Sequence, residues 1–444
     1  MKQRIGSIQK HPLVKNSLLY VLTDAVNKAV PFLLLPLLTH YLLPADYGIV
    51  ANYNVYVNFL AIFIGLSVQS IISVNFYKLD KAEIGKYIFN IFFVITTTLT
   101  TCGLVIFLFN KQIEEFLSVT QIFVVSGLAI GLSQVLSSIS LIIWRLEERP
   151  LAFGGYQISQ TICDVVISLI LITMFNMGWR GRLIGIGTSS VIYGFISIFL
   201  LWKRGYLNAF YNKSYIKEIL GFCLPLVPHA LSIWARAGSD RLIVSKLAGV
   251  SASGIYAAGF QFGLLISFLT LAFNNAYAPF VYKSLSISDE SILESKKQKL
   301  VRFTYLYIVA LLGLTFIASI ASNFAIDNYL SAKYADAKMY VGWALFSQAF
   351  QGVYLMYASF IFFVKRSGSL AIVTFVCSTL QVALSYYLVK SVGPIGAAYS
   401  NFAISVLNTA IVMILSAKVY PMPWLNFRMI FARSLKQLKK TYYD

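Results

Sequence analysis

The sequence predicts an all-α integral membrane protein of twelve transmembrane helices in two pseudo-symmetric six-helix bundles. Three observations predict it. The chain is 58% hydrophobic and only 12% charged, with a mean hydropathy of +0.73, whereas a soluble domain carries about 25% charged residues. Apolar runs long enough to cross a bilayer, which takes about 20 residues, recur from residue 14 to residue 418. The first half of the chain also echoes the second at a fixed offset.

The apolar runs fall at 15–42, 47–76, 85–109, 118–144, 152–177, 183–202, 218–247, 254–282, 302–324, 339–364, 368–390 and 394–418. The first is too long for the apolar core of a cleavable signal, so it is expected to stay in the protein as a span. The largest gap, from Lys283 to Arg302, reads as a polar loop. No gap is large enough for a separate catalytic domain.

Orientation follows from the bias of Lys and Arg toward cytoplasmic loops. With the N-terminus in the cytoplasm, the segments on that side hold 26 of the 36 basic residues and the opposite loops hold 7. Lys28, Arg236 and Arg241 lie inside spans. The split predicts both termini in the cytoplasm. It also accounts for the net charge of +19 without a nucleic-acid surface. The basic residues of 421–444 form a tail suited to anionic lipid.

The repeat has an offset of 206 residues. Thr39 to Ile49 lies over Ser245 to Ile255, and Gly48 over Gly254. A second echo pairs the run from Leu183 with the run from Pro394. Six spans per copy is an even number, so the copies share one orientation. Residues 1–205 are expected to form the N-terminal bundle, 206–420 the C-terminal bundle and 421–444 the tail. Two such bundles suit alternating access around a site between them.

Charges inside a membrane span face a cavity or a partner, and here they are few. Asp24 and Lys28 stand four apart on the first span. Arg236 and Asp240 repeat that spacing on the seventh, followed by Arg241, and Asp164 sits within the fifth. Lys28, Arg236 and Arg241, with Asn54 and Asn58 on one face of the second span, are the candidate substrate-binding residues. The cations would hold an anionic group and the amides would meet sugar hydroxyls. Asp24, Asp164 and Asp240 are the candidate ion-coupling acids. Two plainer readings stay open: each charge pair as a self-neutralising bridge, and each polar stripe, including Gln157 to Ser168 on the fifth span, as interhelical hydrogen bonding. Tyr20, Trp234 and Tyr256 either stack on sugar rings or serve packing. Trp202, Tyr206 and Tyr420 read as interfacial aromatics.

The four cysteines lie within apolar runs without paired spacing. The three histidines do not cluster, so no metal is expected. No phosphate-cradling glycine loop ending in Lys-Ser/Thr is present, so no nucleotide cofactor is expected either.

The run from Leu224 to Trp234 (LPLVPHALSIW), the Asp240-Arg241 pair, Gly254-Ile255-Tyr256 and the segment Pro36 to Ile49 (PLLTHYLLPADYGI) together resemble the polysaccharide-transport family. That family includes the Wzx-type O-antigen flippases. Asn274 to Phe280 is similar to the family's next segment, except that Ala276-Tyr277-Ala278 replaces its tryptophan pattern. The resemblance implies membership of the multidrug/oligosaccharidyl-lipid/polysaccharide exporter superfamily. It implies a transporter and not an enzyme, with two six-helix lobes. Its substrate would be an undecaprenyl-diphosphate-linked oligosaccharide moved across the bacterial inner membrane for O-antigen, capsule or exopolysaccharide synthesis. Partners implied are membrane lipid, a coupling proton or sodium ion, and a polysaccharide polymerase and chain-length regulator. Asp24 occupies a place comparable to the first-helix acid of the superfamily's multidrug exporters. The alternatives are a cation-coupled multidrug exporter and a membrane-embedded glycan polymerase. The first would favour an acidic cavity, and the second a large outer loop.

Overall fold

The structure is a computed structural model that describes residues 12–424. The side chains of several residues on its first helix, Asp24 and Lys28 among them, lie outside that description, as does most of the 421–444 tail. Joined across their breaks, the helices form twelve rods among the described residues, and no strand occurs there. They are α1 (Pro12–Tyr41), α2 (Pro44–Gly65 continued by Val68–Asn75), α3 (Lys81–Leu117), α4 (Gln121–Leu146), α5 (Pro150–Thr173) and α6 (Gly178–Lys203). There follow α7 (Lys213–Ala248), α8 (Val250–Leu285), α9 (Glu290–Tyr329), α10 (Lys338–Phe363), α11 (Ser367–Val392) and α12 (Ile395–Val419).

Ten of these rods are long and apolar enough to cross a membrane. The other two are α1, of which Ala29–Tyr41 is a shorter apolar stretch, and α10. The latter has full length, but Gln348 and Gln351 lower its hydropathy. The twelve rods match the twelve expected apolar runs, while ten meet the apolar criterion outright.

Local sequence explains the helix ends. Pro44 starts α2, and the Asp46 carboxylate accepts from the Leu43 N–H at 3.2 Å, a proline-led start with a satisfied first turn. Asp80 caps α3 by accepting from the Glu83 N–H at 2.8 Å. Asp289 caps α9 through the Ser291 and Ile292 N–H groups at 2.9 and 3.2 Å. The Ser291 hydroxyl, donating at 2.7 Å, and then those backbone bonds hold its carboxyl below the ordinary aspartate value. The stretch from Glu290 to Val301, expected as loop, is therefore the opening of α9. Its Glu, Lys, Gln and Leu residues favour helix but are too charged to register as apolar.

Besides a break at Phe262 in α8 and a kink at Phe109 in α3, breaks interrupt α2 and α7. In α2, Leu66 and Ser67 are both left-handed, at φ 44° and 61°. In α7, a 3-10 turn at Leu224–Leu226 carries Pro225 and is followed by Pro228.

Contacts divide the chain into two compact units. The first runs to Ala257 and includes Leu330–Tyr334. Its core lies among α2, α3, α4 and α7, with Tyr53, Ile64, Tyr87, Ile91, Val124 and Ile139 at most 3% exposed. Two tyrosine hydroxyls fasten α2 to α4, Tyr53 to the Phe123 carbonyl and Tyr56 to the Val124 carbonyl, each at 3.0 Å. The second unit holds the rest from Ala258, with α10 packed against α8, α9 and α12, and α11 against α12. The contact boundary falls later than the repeat boundary at 205/206 because α7 and the first turns of α8 pack on α2. The six-plus-six division is a proposal that rests on the repeat.

Helix starts stand at varying offsets, Pro12 and Lys213 201 residues apart and Lys81 and Glu290 209 apart. Pro44 and Val250 stand 206 residues apart, whereas Gln121 and Lys338, Pro150 and Ser367, and Gly178 and Ile395 each stand 217 apart. The extra residues lie around the end of α9 and the 3-10 turn Ala332–Ala337.

Candidate functional site

The candidate residues fall in three places. The first is the junction of α2 with α7 and α8, inside the first unit. Trp234 Nε1 donates to the Val55 carbonyl at 2.8 Å, and its ring packs on Phe59 at 4.9 Å. Gly238 faces Val55 so closely that a Cβ there would stand 2.8 Å from a Val55 methyl. Ser253 Oγ lies 3.0 Å from both Asn52 Oδ1 and the Arg241 carbonyl. Gly48 and Gly254 meet directly, since a Cβ on Gly254 would stand 1.8 Å from the Pro44 carbonyl oxygen. These two glycines are equivalent in the repeat.

Helical geometry then sorts the α7 charges. At 3.6 residues per turn, Trp234, Gly238 and Arg241 share a stripe on the side of α2. Arg236 and Asp240 share another, and the two arginines stand about 140° apart around the helix. Both arginines are half-buried. Asp240 is 3% exposed and accepts from the Tyr256 hydroxyl at 3.3 Å. The expectation of a single cluster of cations thus separates into Arg241 on the α2 side and Arg236 on another face. On α2, Asn54 is half-buried and Asn58 exposed. They flank the Val55 position that α7 covers.

The second place is the α5–α6 hairpin. Asp164 is bound bidentately by Arg182, Nη1 to Oδ1 at 2.6 Å and Nη2 to Oδ2 at 3.1 Å. Ser168 joins both, accepting from Arg182 at 2.6 Å and donating to Asp164 at 3.1 Å. The side chains are 11% and 21% exposed for Arg182 and Asp164. Gly185 permits this approach, because a Cβ there would lie 2.1 Å from Ser168 Oγ. Arg182 reads from sequence as a loop residue, yet it lies in the second turn of α6. Its long side chain reaches down the hairpin to a carboxylate deeper along α5. The signal that marks it is a lone arginine just past a short turn that follows an apolar helix bearing a lone aspartate.

The third place is α1. Asn27 Nδ2 donates to Gln157 Oε1 and Thr161 Oγ1 donates to Asn27 Oδ1, both at 2.9 Å. The polar stripe of α5 therefore binds helices together from Gln157 through Thr161, Asp164 and Ser168. Asp24 and Lys28 flank Asn27 in sequence, but their side chains lie outside those described.

The aromatic candidates are packing residues. Tyr20 packs edge-on against Phe153 at 5.1 Å, Trp234 is engaged with α2, and Tyr256 is 1% exposed. Tyr206, expected at the interface, is instead 4% exposed and donates to Glu147 at 2.5 Å. Burial and that bond raise its phenol above the ordinary tyrosine value.

Long apolar rods, charged residues kept to a few helical stripes, and a glycine-lined crossing of α2 and α8 describe a polytopic helical membrane protein. Solved structures share this fold. One is the inward-facing conformation of a multidrug resistance MATE family transporter of the MOP superfamily, at TM-score 0.68 and 13% identity, covering 88% of this chain and 95% of that one. Another is the lipid II flippase MurJ in an inward closed conformation, at TM-score 0.63 and 16% identity, covering 94% and 92%. By sequence, the Lsg locus protein 1 of Haemophilus influenzae is 24% identical over 387 residues, 85% of this chain and 92% of that protein. The chain belongs to the polysaccharide biosynthesis protein family, whose model matches residues 13–285. Family and fold make it a transporter and not an enzyme.

Proposed function

We propose that this protein is a flippase for a lipid-linked polysaccharide precursor, specifically an undecaprenyl-diphosphate-linked oligosaccharide, in the bacterial inner membrane. Family membership over residues 13–285 carries the reading. The likeness in fold to the lipid II flippase MurJ supports it. The product would feed O-antigen, capsule or exopolysaccharide assembly, alongside a polymerase and a chain-length regulator. Arg241 and Arg236 are proposed to meet the diphosphate at different stages of transport, since they stand on different faces of α7. Lys28 is proposed to supply a cation from α1. Asn54 and Asn58 would offer hydrogen bonds to the glycan. Asp24 and Asp240 are proposed to couple transport to a proton or sodium ion. The proposal for Asp164 is weakened by its full engagement with Arg182.

The test is deletion of the gene followed by complementation. Deletion is expected to abolish the surface glycan and leave lipid-linked units on the inner leaflet. Arg241→Ala and Arg236→Ala at wild-type expression should each restore less glycan than wild type. Arg241→Lys should also fall short, because lysine lacks the paired donors of guanidinium. Full surface glycan in the deletion strain would reject the function. Full complementation by both alanine variants would reject the residue assignment.

Topology is proposed from the 26-to-7 basic split. Reporter fusions at Lys10 and Asp444 should both be active only in the cytoplasm. A periplasmic signal from either would overturn it.

A further inference from the structure

The second unit carries a groove that the transport site does not use. It lies between α8 and α9, with a volume of about 470 Å³, within the roughly 300–1,000 Å³ of small-molecule sites. On α8 it is lined by Phe273, Tyr277, Phe280 and Ser284, and on α9 by Lys296, Lys299 and Phe303. Each set recurs at three- and four-residue steps, so each helix contributes one stripe. The two stripes are graded in the same direction, aromatic at depth and polar near the α8–α9 turn.

The deep end is a stack of flat rings. Phe273 and Tyr307 lie 4.1 Å apart at 20°, and Tyr277 and Phe303 6.0 Å apart at 16°. The Tyr277 hydroxyl is engaged with Thr304 at 3.1 Å, which leaves ring faces as the wall. Phe280 and Phe303 are 53% and 41% exposed, so this surface is uncovered. The shallow end is cationic. Glu294, the nearest acid along α9, pairs with Lys297, and among the described residues neither Lys296 nor Lys299 makes an ion pair. The 40 residues of α9 span about 60 Å at 1.5 Å per residue, twice a hydrocarbon core of about 30 Å. With the apolar run of α9 beginning at residue 302, the two lysines, in the second and third turns, fall just outside it, at the headgroup side that the basic split assigns to the cytoplasm.

We infer that this groove docks a polyprenyl phosphate of the cytoplasmic leaflet, with the tail along the ring stack and the phosphate at Lys296 and Lys299. The inference rests on the reading that the substrate is lipid-linked, and it adds a receiving site on the face of the second unit. The basic composition of residues 421–444 does not complement two lysines.

The experiment uses the full chain in phosphatidylcholine nanodiscs with a photoreactive polyprenyl monophosphate. Labelling should map to peptides within residues 273–307. Unlabelled polyprenyl phosphate should compete, while phosphatidylglycerol and inorganic phosphate at the same concentration should not. Lys296→Glu with Lys299→Glu should lower labelling by about tenfold or more, as expected for reversing two charges at a headgroup. Labelling elsewhere, equal competition by phosphatidylglycerol, or undiminished labelling of a double variant that melts like wild type would each overturn the inference. Flipping assayed separately in proteoliposomes keeps the two ideas apart. Flipping without groove labelling rejects the groove alone, and labelling without flipping rejects the transport reading alone.

Discussion

Gly254→Leu should disengage α2 from α8. Even the first carbon of the new side chain would stand 1.8 Å from the Pro44 carbonyl oxygen and 2.9 Å from the Gly48 nitrogen. Both obstacles are backbone, so neither can turn aside as a flexible side chain would. Overpacking of a tight contact costs about 1–3 kcal/mol, and backbone obstruction places this site at the upper end or forces the helices apart. A cysteine pair at Asn52 and Ser253, whose side chains touch at 3.0 Å, reads the contact directly. It should crosslink in the otherwise wild-type chain and fail with Gly254→Leu, alongside a lower melting temperature in detergent. Gly313→Ala, at a position with nothing within 4 Å, is the control and should melt like wild type. Crosslinking and melting unchanged by Gly254→Leu would show that the crossing is not held by this contact.

Removal of one partner from the α5–α6 ion pair should be nearly as damaging. Arg182→Leu leaves the Asp164 carboxylate with Ser168 alone in a largely enclosed site. Stranding a buried charge in this way costs about 3–5 kcal/mol, and the partial exposure of Asp164 places the expected loss near the low end. Asp164→Asn strands Arg182 to a similar degree. The double variant Asp164→Leu with Arg182→Leu should regain much of the loss, because an apolar pair of similar size is often no less stable than a buried bridge. With Asp164→Leu as the second single variant, melting temperatures of the wild type, the two leucine singles and the double complete a double-mutant cycle. Additive losses would mean that the two residues act separately. A transport defect that tracks stability across the cycle would assign Asp164 to architecture, while a defect in Asp164→Asn beyond its stability loss would restore it as an ion-coupling candidate.

What could be read from the sequence was whatever apolar periodicity and charge bias record. Among the described residues, ten of the twelve expected runs are helices long and apolar enough to cross a membrane, because such a span is announced by its own residues. The Gly48–Gly254 correspondence was visible as a repeat, and the structure adds that the two glycines touch. The partner of Asp164 was not visible. Arg182 lay beyond the apolar stretch of α6, and assigning it requires knowing how far a guanidinium reaches along a hairpin. The opening of α9 was hidden for the converse reason, since a helix projecting beyond the bilayer loses the apolar signal by which spans are recognised. The separation of Arg236 from Arg241 was implicit in their five-residue spacing, but it gained meaning only once Trp234 and Gly238 showed which side of α7 meets α2. The Asn27 clamp shows why polar stripes are ambiguous from sequence: Gln157 and Thr161 carry the same donors whether they face water, sugar or another helix.

The paired left-handed residues in α2 have a mechanical consequence. Leu66 and Ser67 hold conformations that cost non-glycine residues roughly 1–2 kcal/mol each. Thr98 reaches across from α3 to accommodate the break, donating to the Ile64 carbonyl at 2.7 Å. Above the break, Pro44–Gly65 is anchored to α7, to α8 and, through Tyr53 and Tyr56, to α4. Below it, Val68–Asn75 is anchored to α4 and to the start of α7, where Asn75 donates to Glu218 at 2.9 Å. A continuous helix would act as a lever and carry torque from one anchorage to the other. This one is divided into two lengths set against partly different neighbours, and any change in the angle between them falls on the dihedral angles of two residues.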